Sequence, residues 1–280
     1  DEYTEAEDRY LSAANAPRSA IVLAASRGKN LESVTTDRPK VMLPVAGKPL
    51  LRWLVDSFKK QGVNDITVVG GYRADAIDTA GITLAVNERH AETGELASLA
   101  RVPNAFTHDT VVSYGDLLFR SYIVRDLIES DADFTVVVDS TAATTANAAN
   151  ASVRDFAYCS AGDDRGLFGQ QVLLEKISAN AADAGRSPNG RWIGLLGVRG
   201  DEGRAQLQRV FAALQARPDF DQLGMPDLIN ALAADGARIE VQYVHGHWRG
   251  VNDMEEFRRA ADFAHGQTPF SGAAPETQGD

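Results

Sequence analysis

Ile21-Val22-Leu23-Ala24-Ala25-Ser26-Arg27-Gly28-Lys29, followed by Asp37-Arg38-Pro39-Lys40, sets the architecture of what comes after it. Residues 20–23 are continuously apolar, as in a parallel strand buried on both faces. The turn at 24–28 has almost no side-chain bulk, so its backbone N–H groups can come close to an anion such as phosphate. Gly28 allows the positive φ that such a turn needs. Pro39 fixes its own φ and stiffens the approach to Lys40. Lys40 is then a point charge placed to neutralise charge building on a phosphorus centre. A strand, a loop of small residues and a held lysine make a cradle for a nucleoside triphosphate. The competing reading is a strand end, a surface loop and a solvated lysine, and spacing alone does not separate the two.

Outward from this stretch the chain alternates strands and helices. Apolar runs predict strands at 20–25, 66–70, 82–86, 110–114, 134–139, 171–177, 193–198 and 239–244. Helical spacing predicts helices at 49–61, 95–102, 122–130, 202–215, 226–234 and 254–265. Leu50, Leu51, Leu54, Val55 and Phe58 place one helix face on a sheet. This βα rhythm argues for an α/β fold, a mostly parallel sheet with helices on both faces. Residues 140–153 are small and polar and read as a flexible loop or lid, or as a tolerated insertion.

Composition narrows the class. A net charge of −11 gives no nucleic-acid footprint, so any positive charge must be concentrated locally, as around Arg27, Lys29 and Lys40. The single cysteine, Cys159, excludes an internal disulfide, fits a reducing cytoplasmic setting, and reads as a small core residue. No apolar run approaches membrane-spanning length. Residues 1–17 read as a linker or the end of an upstream domain, 18–265 as the principal domain, and 266–280 as a disordered tail.

Three further segments carry chemistry. Ser113-Tyr114-Gly115-Asp116 ends an apolar strand at the carboxyl edge, where open α/β sheets bind ligands, and Asp116 can offer a hard oxygen to Mg²⁺. A turn or cap is the plainer role for that aspartate. Gly250-Val251-Asn252-Asp253 precedes a helix, so Asn252 or Asp253 can cap it. Asn87 to Leu99 follows a strand and opens a helix. His90 within it has no His or Cys partner at metal spacing and reads as a loop or rim residue.

The stretch from Leu23 to Leu51, through Pro39-Lys40, Leu43-Pro44 and Gly47-Lys48-Pro49-Leu50, resembles the signature of the sugar-phosphate nucleotidyltransferase superfamily. Ser26 stands where a glycine is usual. The resemblance implies a three-layer α/β/α Rossmann-like nucleotidyltransferase fold with a mixed, mostly parallel sheet. It implies nucleotide contacts from Leu23, Ala24, Ala25, Ser26, Gly28 and Lys29, and catalytic roles for Lys40 and for a loop cation that Arg27 or Lys29 supplies. It implies a nucleobase site built with Asn87, Thr93, Gly94 and Ser98. Mg²⁺ is implied on Asp116 and on Asn252, with Asp253 the neighbouring option.

More narrowly, Ser26-Arg27-Gly28, Thr93-Gly94-Glu95-Leu96-Ala97-Ser98-Leu99 and His247-Trp248-Arg249-Gly250-Val251-Asn252-Asp253 resemble cytidylyltransferase domains fused behind phosphoenolpyruvate mutase. That implies CTP and a small phosphonate, 2-aminoethylphosphonate or 2-hydroxyethylphosphonate, as substrates, with a link to a mutase domain. Acceptor contacts are expected among Asp139, Tyr158, Arg165 and Trp192, with Asp163 and Arg191 as further candidates. Each also has a bland role as a strand end, turn, core or solvated residue. The alternatives are a phosphocholine or sugar-1-phosphate nucleotidyltransferase, and an inactive nucleotide-binding domain.

Overall fold

The computed structural model describes residues 18–28, 30–31, 33–102, 104–141, 155–164, 171–181 and 183–266. The strand β1 (Arg18–Ala24) leads through the short pair β2 (Pro44–Val45) and β3 (Lys48–Pro49) into helix α1 (Leu50–Lys60). Strands β4 (Asp65–Gly70) and β5 (Thr83–Val86) follow, then helix α2 (Glu95–Leu99), strands β6 (Asp109–Tyr114) and β7 (Leu117–Phe119), and helix α3 (Ser121–Glu129). Next come β8 (Phe134–Asp139), β9 (Phe156–Cys159), β10 (Leu174–Ser178) and β11 (Gly190–Val198). Helices α4 (Gly200–Gln215) and α5 (Met225–Ala234), strands β12 (Ile239–Val244) and β13 (Trp248–Gly250), and helix α6 (Met254–Ala264) complete the order.

Among the described residues nine strands form the main sheet, in the order β10-β9-β11-β6-β1-β4-β5, with β8 and β12 attached through β11. β6, β1, β4 and β5 are mutually parallel, and β12 is parallel to β8. β11 opposes β6, β8 and β9, and β10 opposes β9. Only β10 and β11 therefore run against the rest, which makes the sheet mixed and mostly parallel.

The continuous apolar character of β1 has a direct cause in this arrangement. Ile21 and Leu23 belong to the core beneath α2, α4 and α5, while Ala20, Val22 and Ala24 belong to the core beneath α1 and α3. A strand with helices on both faces cannot alternate apolar and polar residues. A third core ties α6 to Leu43, Val45, Leu50, Leu118 and Val251.

All eight sequence-predicted strands occur, although the one expected from 171 starts at Leu174 and the helix expected to reach 102 stops at Leu99. The short strands β7, β9 and β13 have no counterpart in the sequence reading, because three or four residues carry too little periodicity. The expected linker at 1–17, the tail from 267 and most of the small-residue loop at 142–153 lie outside the described residues. Among the described residues no helix is long and apolar enough to cross a membrane. Cys159 is fully buried in β9, and burial pushes its thiol up to about 11.

Candidate active site

At the carboxyl edge of β1 and β6 the structure opens a cleft of about 1270 Å³. Leu23, Ala24, Ala25, Ser26, Arg27 and Gly28 line one wall. Lys29 lies outside the described residues. Gly28 has φ +79°, and a Cβ there would come within 3.2 Å of the Lys40 stem, so the loop needs glycine for conformation and for room. The Arg27 guanidinium stacks on the Tyr72 ring at 4.9 Å, and its buried Nε has no hydrogen-bond partner among the described residues.

Lys40 rises from a short 3₁₀ turn, Lys40–Met42, behind an extended Pro39. Its side chain is buried, and Nζ donates to Asp116 Oδ2 at 2.6 Å and to Asn252 Oδ1 at 2.9 Å. Residues from three distant parts of the chain thus meet at one point. The positions of the two acceptors follow from backbone pairing. β7 pairs with β13, setting Leu117 opposite Gly250, and the Val251 N–H donates to the Asp116 carbonyl at 3.0 Å. Asn252 and Asp253, neighbours in sequence, have different partners. Asp253 caps α6 by accepting from the Glu255 and Glu256 N–H groups, while Asn252 turns to Lys40.

This donor set suits Mg²⁺. It offers two hard oxygens already aimed at one positive charge, and Mg²⁺ characteristically takes few protein ligands and completes its shell with phosphate and water. Among the described residues no group of three or more His, Cys, Asp or Glu side chains converges as a metal cage, so a divalent ion would depend on a bound triphosphate.

Thr93, Gly94 and Ser98 also line the cleft, as do Tyr72 and His90, with the Tyr72 N–H donating to the Ala25 carbonyl of the loop at 3.0 Å. Asn87 does not reach the cleft wall. It is fully buried, and its amide donates to Thr93 Oγ1 and Ser98 Oγ at 2.9 and 3.0 Å while accepting from the Arg89 N–H. It shapes the wall from behind.

The expected acceptor residues are mostly placed elsewhere. Asp139 accepts from Trp248 Nε1 at 2.7 Å, from the Thr141 hydroxyl and N–H, and from the Gly246 N–H, so its carboxylate is engaged in holding the strand ends together. Tyr158 is buried in β9; its hydroxyl donates to the Asn180 carbonyl and accepts from the Asp183 N–H. Asp163 accepts from Ser140 and pairs with His245. Arg165 lies outside the described residues. Trp192 borders the cleft but is 1% exposed, with Nε1 donating to the Leu195 carbonyl. It supports Tyr114 edge-to-face at 5.3 Å.

The cleft is also lined by residues the sequence reading did not assign there, apart from Arg191. They are Tyr114, Glu95, Asp155, Asp227 and Trp248. The register of β11 shifts between Trp192 and Leu196, where Gly194 has φ +96° and a Cβ would strike the Tyr114 ring at 2.4 Å. This irregularity leaves Tyr114 in place at the cleft floor. Desolvation, and then the nearby Glu95, Asp155 and Asp116 charges, push the Tyr114 phenol well above its ordinary range. Glu95 opens into the cleft, yet desolvation by the surrounding walls raises its carboxyl, opposed by the Met225 N–H that donates to it. The Arg191 guanidinium stacks on Trp248 at 5.2 Å, with a buried Nε that has no hydrogen-bond partner among the described residues. These residues come from six separate segments, and no local pattern joins them.

A family model described as a MobA-like NTP transferase domain matches residues 20–190. A choline-phosphate cytidylyltransferase of Streptococcus pneumoniae is 30% identical over 115 residues, covering 40% of this chain and 50% of that protein. A CTP:phosphoglutamine cytidylyltransferase of Campylobacter jejuni is 27% identical over 132 residues, covering 43% and 52%. The matched region thus spans about half the length of these curated relatives. The solved structure of a CTP:phosphocholine cytidylyltransferase from Streptococcus pneumoniae shares the fold, with a TM-score of 0.65 and 19% identity over 89% of this chain and 99% of that one.

Proposed function

The chain belongs to the MobA-like NTP transferase domain family, and we propose that it is a cytidylyltransferase moving CMP from CTP to a small phosphonate with release of pyrophosphate. The observation that carries the reading is the meeting of Lys40, Asp116 and Asn252 beside the 24–28 loop. A buried ammonium next to a small-residue anion cradle is suited to charge building at phosphorus. CTP as donor is supported by the cytidylyltransferases among the relatives.

In this reading the loop and Lys40 hold the triphosphate. An oxygen of the acceptor attacks the α-phosphorus in line, forming a new P–O bond. The bond from the α-phosphorus to the bridging oxygen breaks, and pyrophosphate carries away the electron pair. The acceptor is already anionic at neutral pH, so no side chain needs to remove a proton. The protein's contribution is orientation and charge stabilisation. Asp116 and Asn252 would hold Mg²⁺, which supplies further neutralisation of the triphosphate.

The charged and aromatic lining of the cleft supports 2-aminoethylphosphonate over 2-hydroxyethylphosphonate. Glu95, Asp155 and Asp227 with the Tyr114 and Trp248 rings suit an ammonium group, and Arg191 suits the phosphonate. The resemblance to domains fused behind phosphoenolpyruvate mutase supports the same acceptor class. The test is pyrophosphate release from CTP, UTP, ATP and GTP, each offered with both phosphonates, phosphocholine and glucose-1-phosphate. Release with CTP and 2-aminoethylphosphonate is expected. Release only with a sugar phosphate moves the protein to the sugar branch, and a folded, CTP-binding protein silent in every pairing contradicts the transferase reading.

A further inference from the structure

We infer that Lys40 is an internal counter-ion that keeps the metal-ligand position closed until a triphosphate draws its ammonium away, so that divalent cation and nucleotide bind cooperatively. The inference rests on the nucleotidyl-transfer reading and concerns how the site is loaded.

The backbone that carries the two oxygens at issue is held in place. Asp116 and Asn252 are joined through the β7–β13 pairing and the Val251–Asp116 backbone bond, and the Asn252 N–H is held by Glu256 Oε2 at 2.8 Å. The charged group between them is on a long, flexible stem. The Lys40 ammonium lies 2.6 and 2.9 Å from the two oxygens, the place from which a small hard cation would also take both. Two positive charges cannot share that place, so a metal ion enters only when the ammonium leaves. The Lys40 stem runs beside Gly28, within 3.2 Å of where a Cβ would be. Phosphate oxygens lying along the 24–28 loop are therefore within reach of a swing of that stem, and their negative charge replaces that of Asp116 as its partner. Two ligands that each favour the displaced lysine help one another bind, and such coupling is reciprocal.

The test is Mn²⁺ binding followed by electron paramagnetic resonance, on the wild-type protein and on Lys40→Met, with folding checked by circular dichroism. Lys40→Met is expected to bind Mn²⁺ alone on the order of tenfold more tightly than wild type. Wild type is expected to gain Mn²⁺ affinity by a similar factor when CTP is present, beyond what CTP binds in solution. Equal Mn²⁺ affinity in the two folded proteins, or weaker affinity in the variant, overturns the inference. If the variant does not fold, the wild-type measurement decides alone, because Mn²⁺ binding unaffected by bound CTP also overturns it. A protein that binds no CTP in the presence of Mn²⁺ instead fails the transferase reading, so the two failures are told apart.

Discussion

Replacing Asp139 separates a structural from an acceptor-binding carboxylate. The side chain is 6% exposed and accepts four hydrogen bonds. The bond from Trp248 Nε1 is buried and charge-assisted, and orphaning that donor in Asp139→Ala costs about 2–3 kcal/mol. The Thr141 and Gly246 donors are partly open to water and add about 0.5 kcal/mol each. The sum is about 4 kcal/mol, which lowers Tm by roughly 10 °C in a domain of this size. Asp139→Asn keeps one oxygen for Trp248 but turns an NH₂ toward the other donors, so about half that loss is expected. Thermal unfolding measures both, and steady-state kinetics read KM for CTP and acceptor. A variant within about 1 kcal/mol of wild type, with acceptor KM raised tenfold and CTP KM unchanged, refutes the structural assignment and returns Asp139 to the acceptor site.

Glu95→Gln keeps the acceptor for the Met225 N–H but removes the charge. KM for 2-aminoethylphosphonate is expected to rise about tenfold, equivalent to ~1.4 kcal/mol, with CTP and 2-hydroxyethylphosphonate unaffected. Since burial raises the Glu95 carboxyl, wild-type preference for the amine acceptor should fade as pH falls through that raised value; a pH-independent preference contradicts the role. The Cys159 thiol is raised from 9.0 to about 11, so the folded state holds the proton that the unfolded chain loses first. Stability is therefore intact below pH 9 and falls as pH rises toward 11, by about 2–3 kcal/mol at most. Denaturant melts across that range should show a shallower alkaline loss in Cys159→Ala. Gly28→Ala puts a Cβ at φ +79° and against the Lys40 stem. It should cost about 1–2 kcal/mol of stability and lower kcat by about tenfold as Lys40 shifts, an outcome that normal turnover in a folded variant contradicts.

The strands β1, β8 and β12, the helix α1 and the order of the α/β units were legible because each is written in a short window. In a run such as Phe134–Asp139 every residue is buried and Phe134 and Val136 to Val138 are apolar, because both faces are covered, and Leu50 to Phe58 repeats at the spacing of one helix face. Lys40 behind Pro39, and Asp116 at the end of β6, could be singled out for the same reason. Resemblance added Asn252. What no window contains is which distant residues meet. Lys40 lies 212 positions from Asn252, and their contact depends on β7 and β13, three residues each, pairing across the chain. Asp139 looked available in sequence and is taken up by Trp248, Thr141 and Gly246, while Glu95, Asp155, Asp227, Trp248 and Arg191 become one wall only once the sheet order is set. Backbone preference and hydrophobic period act over a few residues, so the sequence alone determined the elements, the loop and the lysine. Burial, pairing of charges and the shape of the cleft are sums over residues far apart in the chain, and these only the tertiary structure decided.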